Sequence, residues 1–195
     1  MHDVIVVGAG LAGLCTALAA AEAGARVLLL EKMARPGGST AMCGGAFAFA
    51  GTDLQQAKGI ADSPALLEED LMAAGRHRND RALVHAYAER QLDAYRWLCA
   101  LGVRFESVSL SGSQSVPRNH STNPVVVLDL LQRHVRDSGR VELRTGAAAA
   151  RLLTEGVGPD RRVAGVRLTD GTACRARGGV VLASGGFSRA ADLVE

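Results

Sequence analysis

The sequence feature that most constrains the fold is a glycine turn at residues 8–13, set between an apolar strand and a helix. Val4-Ile5-Val6-Val7 is a continuous β-branched run, suited to a strand covered on both faces. Gly8-Ala9-Gly10 interrupts it, and Leu11 to Ala23 follows as an Ala-rich helix that Gly24 stops. A second buried strand, Arg26 to Leu30, ends at Glu31. Strand, glycine turn, helix and strand make one βαβ unit and predict an α/β fold built on a Rossmann-like dinucleotide-binding domain. The spacing Gly8-x-Gly10-x-x-Gly13 gives each glycine its own task. Gly8 permits the tight turn, Gly10 lets the backbone approach a pyrophosphate, and Gly13 lets helix and strand pack closely. The helix N-terminus adds unpaired N–H groups and positive potential for the phosphates.

Further along, residues 34–52 are rich in glycine and small side chains and read as a loop or short helix. Helical pattern resumes near Pro64, and Asn79-Asp80 can cap a helix running to Leu101. Leu83, Val84, Tyr87, Leu92, Tyr95 and Leu98 mark its expected apolar face, and Gly102 ends it. Val103 to Glu106 reads as a short strand, and Ser107 to Asn123 as polar and turn-rich. Val127 to Val135 restores a helical period. Segments near 141–145, 149–154, 162–169 and 172–177 then read as short strands, with a hairpin turn at Asp170-Gly171. Gly179 to Ala183 is a separate buried strand leading into Ser184-Gly185-Gly186.

Glu31 stands where a carboxylate takes the ribose hydroxyls of a dinucleotide, and it would repel a 2′-phosphate. That much suits NAD or FAD. The next segment favours FAD: Gly37-Gly38-Ser39-Thr40 and Gly44-Gly45 supply small residues whose backbone N–H groups can lie against a flavin ring and its phosphate. Composition is that of an ordinary globular domain, 48% apolar and 22% charged. A net charge of +2 with scattered arginines gives no case for nucleic acid. No apolar stretch reaches the length of a membrane span. Cys15, Cys43, Cys99 and Cys174 stand at no metal-ligand or redox-pair spacing and no secretory leader is seen, so no metal and a cytoplasmic location are expected.

The ordered series Val4–Gly13, Glu31-Lys32 and Gly37–Gly45 resembles the fumarate reductase/succinate dehydrogenase flavoprotein family. The resemblance is nearer to its soluble branch, the flavocytochrome-type fumarate reductases and 3-ketosteroid dehydrogenases. Asn79–Val84, Trp97–Val103, Ser115–His120, Val163–Val166 and Val180–Phe187 extend it over almost the whole chain. The resemblance implies a Rossmann-like FAD/NAD(P)-binding domain of glutathione-reductase type, with a β-meander and a helical insertion. Residues 1–195 would then be the N-terminal portion of one FAD-binding domain: βαβ and flavin loop at 1–56, helical section at 57–125, and helix, meander and closing strand at 126–195. It also implies site roles. Gly8, Gly10, Ala12 and Gly13 would surround the pyrophosphate, and Glu31, with Lys32 beside it, would hold the ribose. Gly38, Ser39, Thr40, Gly44 and Gly45 would line the flavin, Ala149 would meet adenine through its backbone, and Ala183, Ser184 and Gly185 would pass near the ADP half.

Three departures from the family pattern refine the expectation. Ser39 occupies the place of the His that carries FAD covalently in membrane-bound members, so noncovalent FAD is expected. Ser121-Thr122-Asn123-Pro124-Val125 stands where the soluble branch has a glycine-rich stretch. The chain stops at Glu195, ahead of the family's capping and substrate domain, which is therefore expected to be absent. The family's chemistry is hydride transfer between flavin and a carbon–carbon bond next to a carbonyl or carboxylate of a small-molecule substrate. Within this chain Arg118 and His120 are the candidates for a substrate role, against a reading as loop residues with structural hydrogen bonds. The alternatives are a truncated, non-catalytic FAD-binding module and an NAD-binding dehydrogenase. Self-association, or a missing C-terminal half as partner, is expected for the chain as given.

Overall fold

In a computed structural model that describes residues 1–187, the chain forms two units, residues 1–42 with 128–187 and residues 43–127. The first unit is an α/β layer. Strand β1 (His2–Val7) leads through the glycine turn into helix α1 (Leu11–Glu22), and β2 (Val27–Leu30) returns beside β1 in parallel, with Val4 opposite Val27. Helix α5 (Pro124–Asp137) begins in the second unit and ends in the first, followed by β6 (Val141–Arg144), β7 (Ala149–Glu155), β8 (Arg162–Leu168) and β9 (Ala173–Leu182). The six strands lie in the order β6-β2-β1-β9-β8-β7. β6, β2, β1 and β9 are parallel, and β9, β8 and β7 form the antiparallel meander. Ile5, Leu28 and Leu30 of the parallel strands share one core with Val166, Leu168, Cys174 and Ala176 of the meander. All four residues of β2 are buried, as a continuous apolar run in a parallel sheet requires.

β9 corrects the sequence reading, which divided it in two. Its first part pairs with β8, Val166 lying opposite Cys174, and its last part pairs with β1, Ile5 lying opposite Val180. Gly178 reads as a break before the strand at Gly179, yet β9 passes through it, with a register shift against β1 between Ala176 and Gly179. A Cβ on Gly178 would stand 2.9 Å from the Asp3 carbonyl oxygen, so glycine marks a close approach of β9 to β1.

The second unit holds α2 (Asp53–Ala57), α3 (Pro64–Ala74) and α4 (Arg81–Ala100), with a small sheet of β3 (Ala46–Ala48), β5 (Asn119–Ser121) and β4 (Ser107–Ser109) in the order β3-β5-β4. Each helix start has a side-chain cap. Thr52 forms a capping box with Gln55, Ser63 accepts from the Leu66 amide ahead of Pro64, and Asp80 accepts from Ala82 and Leu83. Three expectations fail in this region. The strand expected at 103–106 forms instead at 107–109, and the turn-rich stretch contains β5, both too short and polar to show a β pattern. The face of α4 holds at Tyr95 and Leu98, which are buried with Ala88 and Gln91, but fails at its start, where Leu83 and Tyr87 are exposed. α5 starts at Pro124 rather than Val127, because the Asn123 carboxamide oxygen accepts from the Val125 and Val126 amides.

Candidate functional site

The turn between β1 and α1 separates its glycines by physical cause. Gly8 has φ +101°, and a Cβ there would lie 2.5 Å from the Ala183 carbonyl oxygen at the end of β9. Gly13 packs against the turn itself, its Cβ falling 1.8 Å from the Gly8 carbonyl oxygen. Gly10 differs from both. Its φ of −79° suits any residue, and a Cβ would meet nothing nearer than Gly37 O at 3.7 Å and Thr40 Oγ1 at 3.9 Å. The chain's own packing therefore does not account for glycine at position 10.

The N-cap residue of α1 is Gly10, which has no side chain to cap the first turn. The Leu11 amide donates to Thr40 Oγ1 at 3.2 Å, and the Gly37 amide to the Ala9 carbonyl at 2.9 Å. Ala12 and Gly13 follow as the next N–H groups of a turn without intrahelical partners for its donors. The 3₁₀ helix Gly38–Met42 thus lies across the helix start, entered through Gly37 and Gly38 at φ +133° and +51°. Gly37, which the sequence places in the small-residue run with Gly38, Ser39 and Thr40, forms the turn into this helix, as the Pro36-Gly37-Gly38 run marks.

Glu31 is buried, and its carboxylate is fixed from both sides: Oε2 accepts from the Ala9 amide and Oε1 from the Met33 amide, both at 2.9 Å. Each oxygen keeps a further lone pair for a hydroxyl. The Ala147 amide donates to the Glu31 carbonyl at 2.8 Å and the Gly146 amide to the Met33 carbonyl at 3.0 Å, so the segment entering β7 runs beside Glu31. Ala149 opens β7, exposed and opposite Leu168, and Lys32 is exposed. The Ala183 amide donates to the Val7 carbonyl at 2.8 Å, which holds the Ala183-Ser184-Gly185 segment at the glycine turn. Gly8, Gly10, Ala12, Gly13, Glu31, Gly38, Ser39, Thr40, Ala183, Ser184 and Gly185 all belong to the first unit.

Gly44 and Gly45 belong to the second unit. Gly44 has open space around it. Gly45 has φ +69°, and its Cβ would fall 2.0 Å from the Thr122 carbonyl oxygen, so packing within this unit already requires glycine there.

Arg118 and His120 also lie in the second unit, fully buried, and their polar atoms are committed. Arg118 grips Asp62 through Nε at 2.7 Å and Nη2 at 2.8 Å, and its Nη1 donates to Asp70. Asp70 also takes the Ser115 amide and hydroxyl, and Asp62 takes the Gln55 amide nitrogen. Burial works against the Arg118 charge, but the two carboxylates outweigh it and hold its pKa above the ordinary value. His120 Nδ1 is 2.7 Å from the Arg118 carbonyl, which can only accept, so Nδ1 carries the proton. Nε2 then accepts from the Thr52 hydroxyl at 2.7 Å. Phe49, Tyr95 and Phe105 surround the ring at centroid distances of 5.6, 5.7 and 5.9 Å. Burial lowers the His120 pKa, so the neutral form is favoured. This network orders α2, β5 and the start of α3. Gln91 was missed by the sequence reading: buried in α4, it makes both of its amide hydrogen bonds to the Ala50 backbone.

A family model described as "FAD binding domain" matches residues 3–195. The chain is 33% identical over 193 residues to the fumarate reductase (cytochrome) of Shewanella frigidimarina, covering 96% of this chain and 34% of that protein. Its structure is similar to that of the open conformation of a flavocytochrome c3 fumarate reductase, with TM-score 0.87 and 33% identity over 95% of this chain and 34% of the other. It is also similar to a 3-ketosteroid-delta4-(5alpha)-dehydrogenase from Rhodococcus jostii, with TM-score 0.83 and 30% identity over 95% of this chain and 46% of the other. The chain thus spans about a third of the length of the fumarate reductase relatives it matches.

Proposed function

This chain belongs to the FAD binding domain family, and from that premise we propose that it is the cofactor-holding portion of an FAD-dependent oxidoreductase of the fumarate reductase type. The observation that supports this reading is Gly10, the one glycine of the turn whose Cβ would meet only ordinary contacts, at the start of α1. In this reading the backbone of Gly8, Gly10, Ala12 and Gly13 holds the pyrophosphate. Glu31, pinned by the Ala9 and Met33 amides, takes the ribose hydroxyls, with Lys32 at its side. Gly38, Ser39, Thr40, Gly44 and Gly45 line the flavin, Ala149 meets adenine, and Ala183, Ser184 and Gly185 pass the ADP half. The flavin supplies a hydride donor and acceptor for a carbon–carbon bond next to a carbonyl or carboxylate of a small-molecule substrate. With Ser39 at the linking position, FAD is held noncovalently.

We place residues 1–195 as the N-terminal portion of one FAD-binding domain, on the ground that the relatives run to about three times this length. Among the described residues no helix is long and apolar enough to cross a membrane. The cysteine spacing supports a cytoplasmic setting. Exposed Val181, Leu182 and Phe187 support self-association or cover by a further part of the protein.

The test is reconstitution. Equilibrium dialysis against FAD, followed by the visible spectrum, is expected to show flavin bands, and acid precipitation is expected to release all of the flavin to the supernatant. A spectrum without bound flavin would sink the reading. Flavin retained in the pellet would overturn noncovalent binding alone.

A further inference from the structure

The outer face of the meander carries five arginines, and they fall into two groups. Arg162 and Arg175 both pair with Glu155, and Arg177 pairs with Asp3. Arg151 of β7 and Arg167 of β8 have no carboxylate within ion-pair distance among the described residues, yet they stand directly opposite each other in the strand register. Val166 and Leu168 point into the core on either side of Arg167, which places both guanidinium groups on the outward face. Directly opposed residues in an antiparallel pair have Cβ atoms about 4.5–5.5 Å apart, and like charges there are destabilising.

Arg167 adds a second observation. Its Nη1 donates to the Gly171 carbonyl at 2.8 Å, while its Nε is buried without a hydrogen-bond partner, the one such side-chain atom among the described residues. A buried donor left unmade is costly and calls for a partner. The nearby turn carboxylate, Asp170, accepts from the Thr172 amide instead.

We propose that Arg151 and Arg167 form a binding site for one phosphate-type dianion, apart from the glycine turn. Two guanidinium charges on one sheet face match a single dianion, which Arg151 can meet with its planar fork and Arg167 with Nη2, its Nη1 being held by the Gly171 carbonyl. The bound charge would also relieve the repulsion between the two arginines.

Calorimetric titration of inorganic phosphate into the FAD-saturated protein, at ionic strength held constant with chloride, tests this. Saturating FAD keeps phosphate from the glycine turn. A single saturable event is expected, at least about tenfold weaker in both Arg151→Gln and Arg167→Gln and unchanged in Arg162→Gln. Circular dichroism of each variant establishes that it is folded. No saturable binding by the wild-type protein, or equal binding by Arg151→Gln, overturns the proposal.

Discussion

Gly13 stands so close to Gly8 that a Cβ on it would lie 1.8 Å from the Gly8 carbonyl oxygen, whereas Gly10, between them, is free of such contact. The two positions therefore give a test that separates folding from the proposed cofactor role of Gly10. Gly13→Ala must push α1 away from β1, and a loss of about 3 kcal/mol is expected in chemical denaturation. Gly10→Ala is expected to keep stability within about 0.5 kcal/mol of the parent while weakening FAD binding at least about tenfold. Equal stability loss in the two variants would contradict the assignment of Gly10 to the cofactor.

Glu31→Gln leaves one acceptor oxygen for two backbone donors and turns an NH2 group toward one of them. A cost of about 1–3 kcal/mol is expected from the stranded amide, together with weaker FAD binding measured by fluorescence quenching. Unchanged stability would show that the Ala9 and Met33 amides do not depend on this carboxylate.

Arg118→Met would strand the Asp62 carboxylate in the second unit, where its side chain is wholly buried. A loss of about 3–5 kcal/mol is expected, read as a lower midpoint in urea. Because the guanidinium is spent on Asp62 and Asp70, Arg118→Lys is expected to destabilise as well: an ammonium cannot reproduce the three-point grip.

His120 sets a pH dependence. Burial depresses its folded pKa below the ordinary 6.5. Between the two values the unfolded chain binds more protons, so stability is full above about pH 6.5 and falls as pH drops toward the folded pKa. His85 runs the other way: its hydrogen bond to Glu68 raises its pKa, so its contribution grows as pH falls. Denaturation midpoints of His120→Asn, taken from pH 7.5 downward, are expected to show a shallower acid slope than the parent. An unaltered slope would refute the neutral-histidine assignment.

The first thirty residues were legible because each signal there is local: an unbroken β-branched run, glycines at fixed offsets and an acid at a strand end. The meander was legible except at Gly178, between the strand ending at 177 and the one starting at Gly179. There glycine reads as a break, although the nearby Asp3 backbone, far away in sequence, is what demands it. β4 and β5 escaped notice because Ser107–Ser109 and Asn119–Ser121 are three-residue polar segments defined by a pairing that no periodicity records. The same distance effect hid the role of Arg118 and His120. The pair was visible, but Asp62, Asp70 and Thr52, which occupy them, lie 48 to 68 positions away.

Because β9 is one strand from its pairing with β8 to its pairing with β1, with a register shift between Ala176 and Gly179, the meander and the glycine turn share one piece of backbone. Amide hydrogen exchange along 173–182 should therefore proceed as one cooperative opening, with the Ala173 end no freer than the Leu182 end. A change that frays the hairpin at Asp170-Gly171 would then be felt at Ala183, against Gly8, at the far end of the same strand.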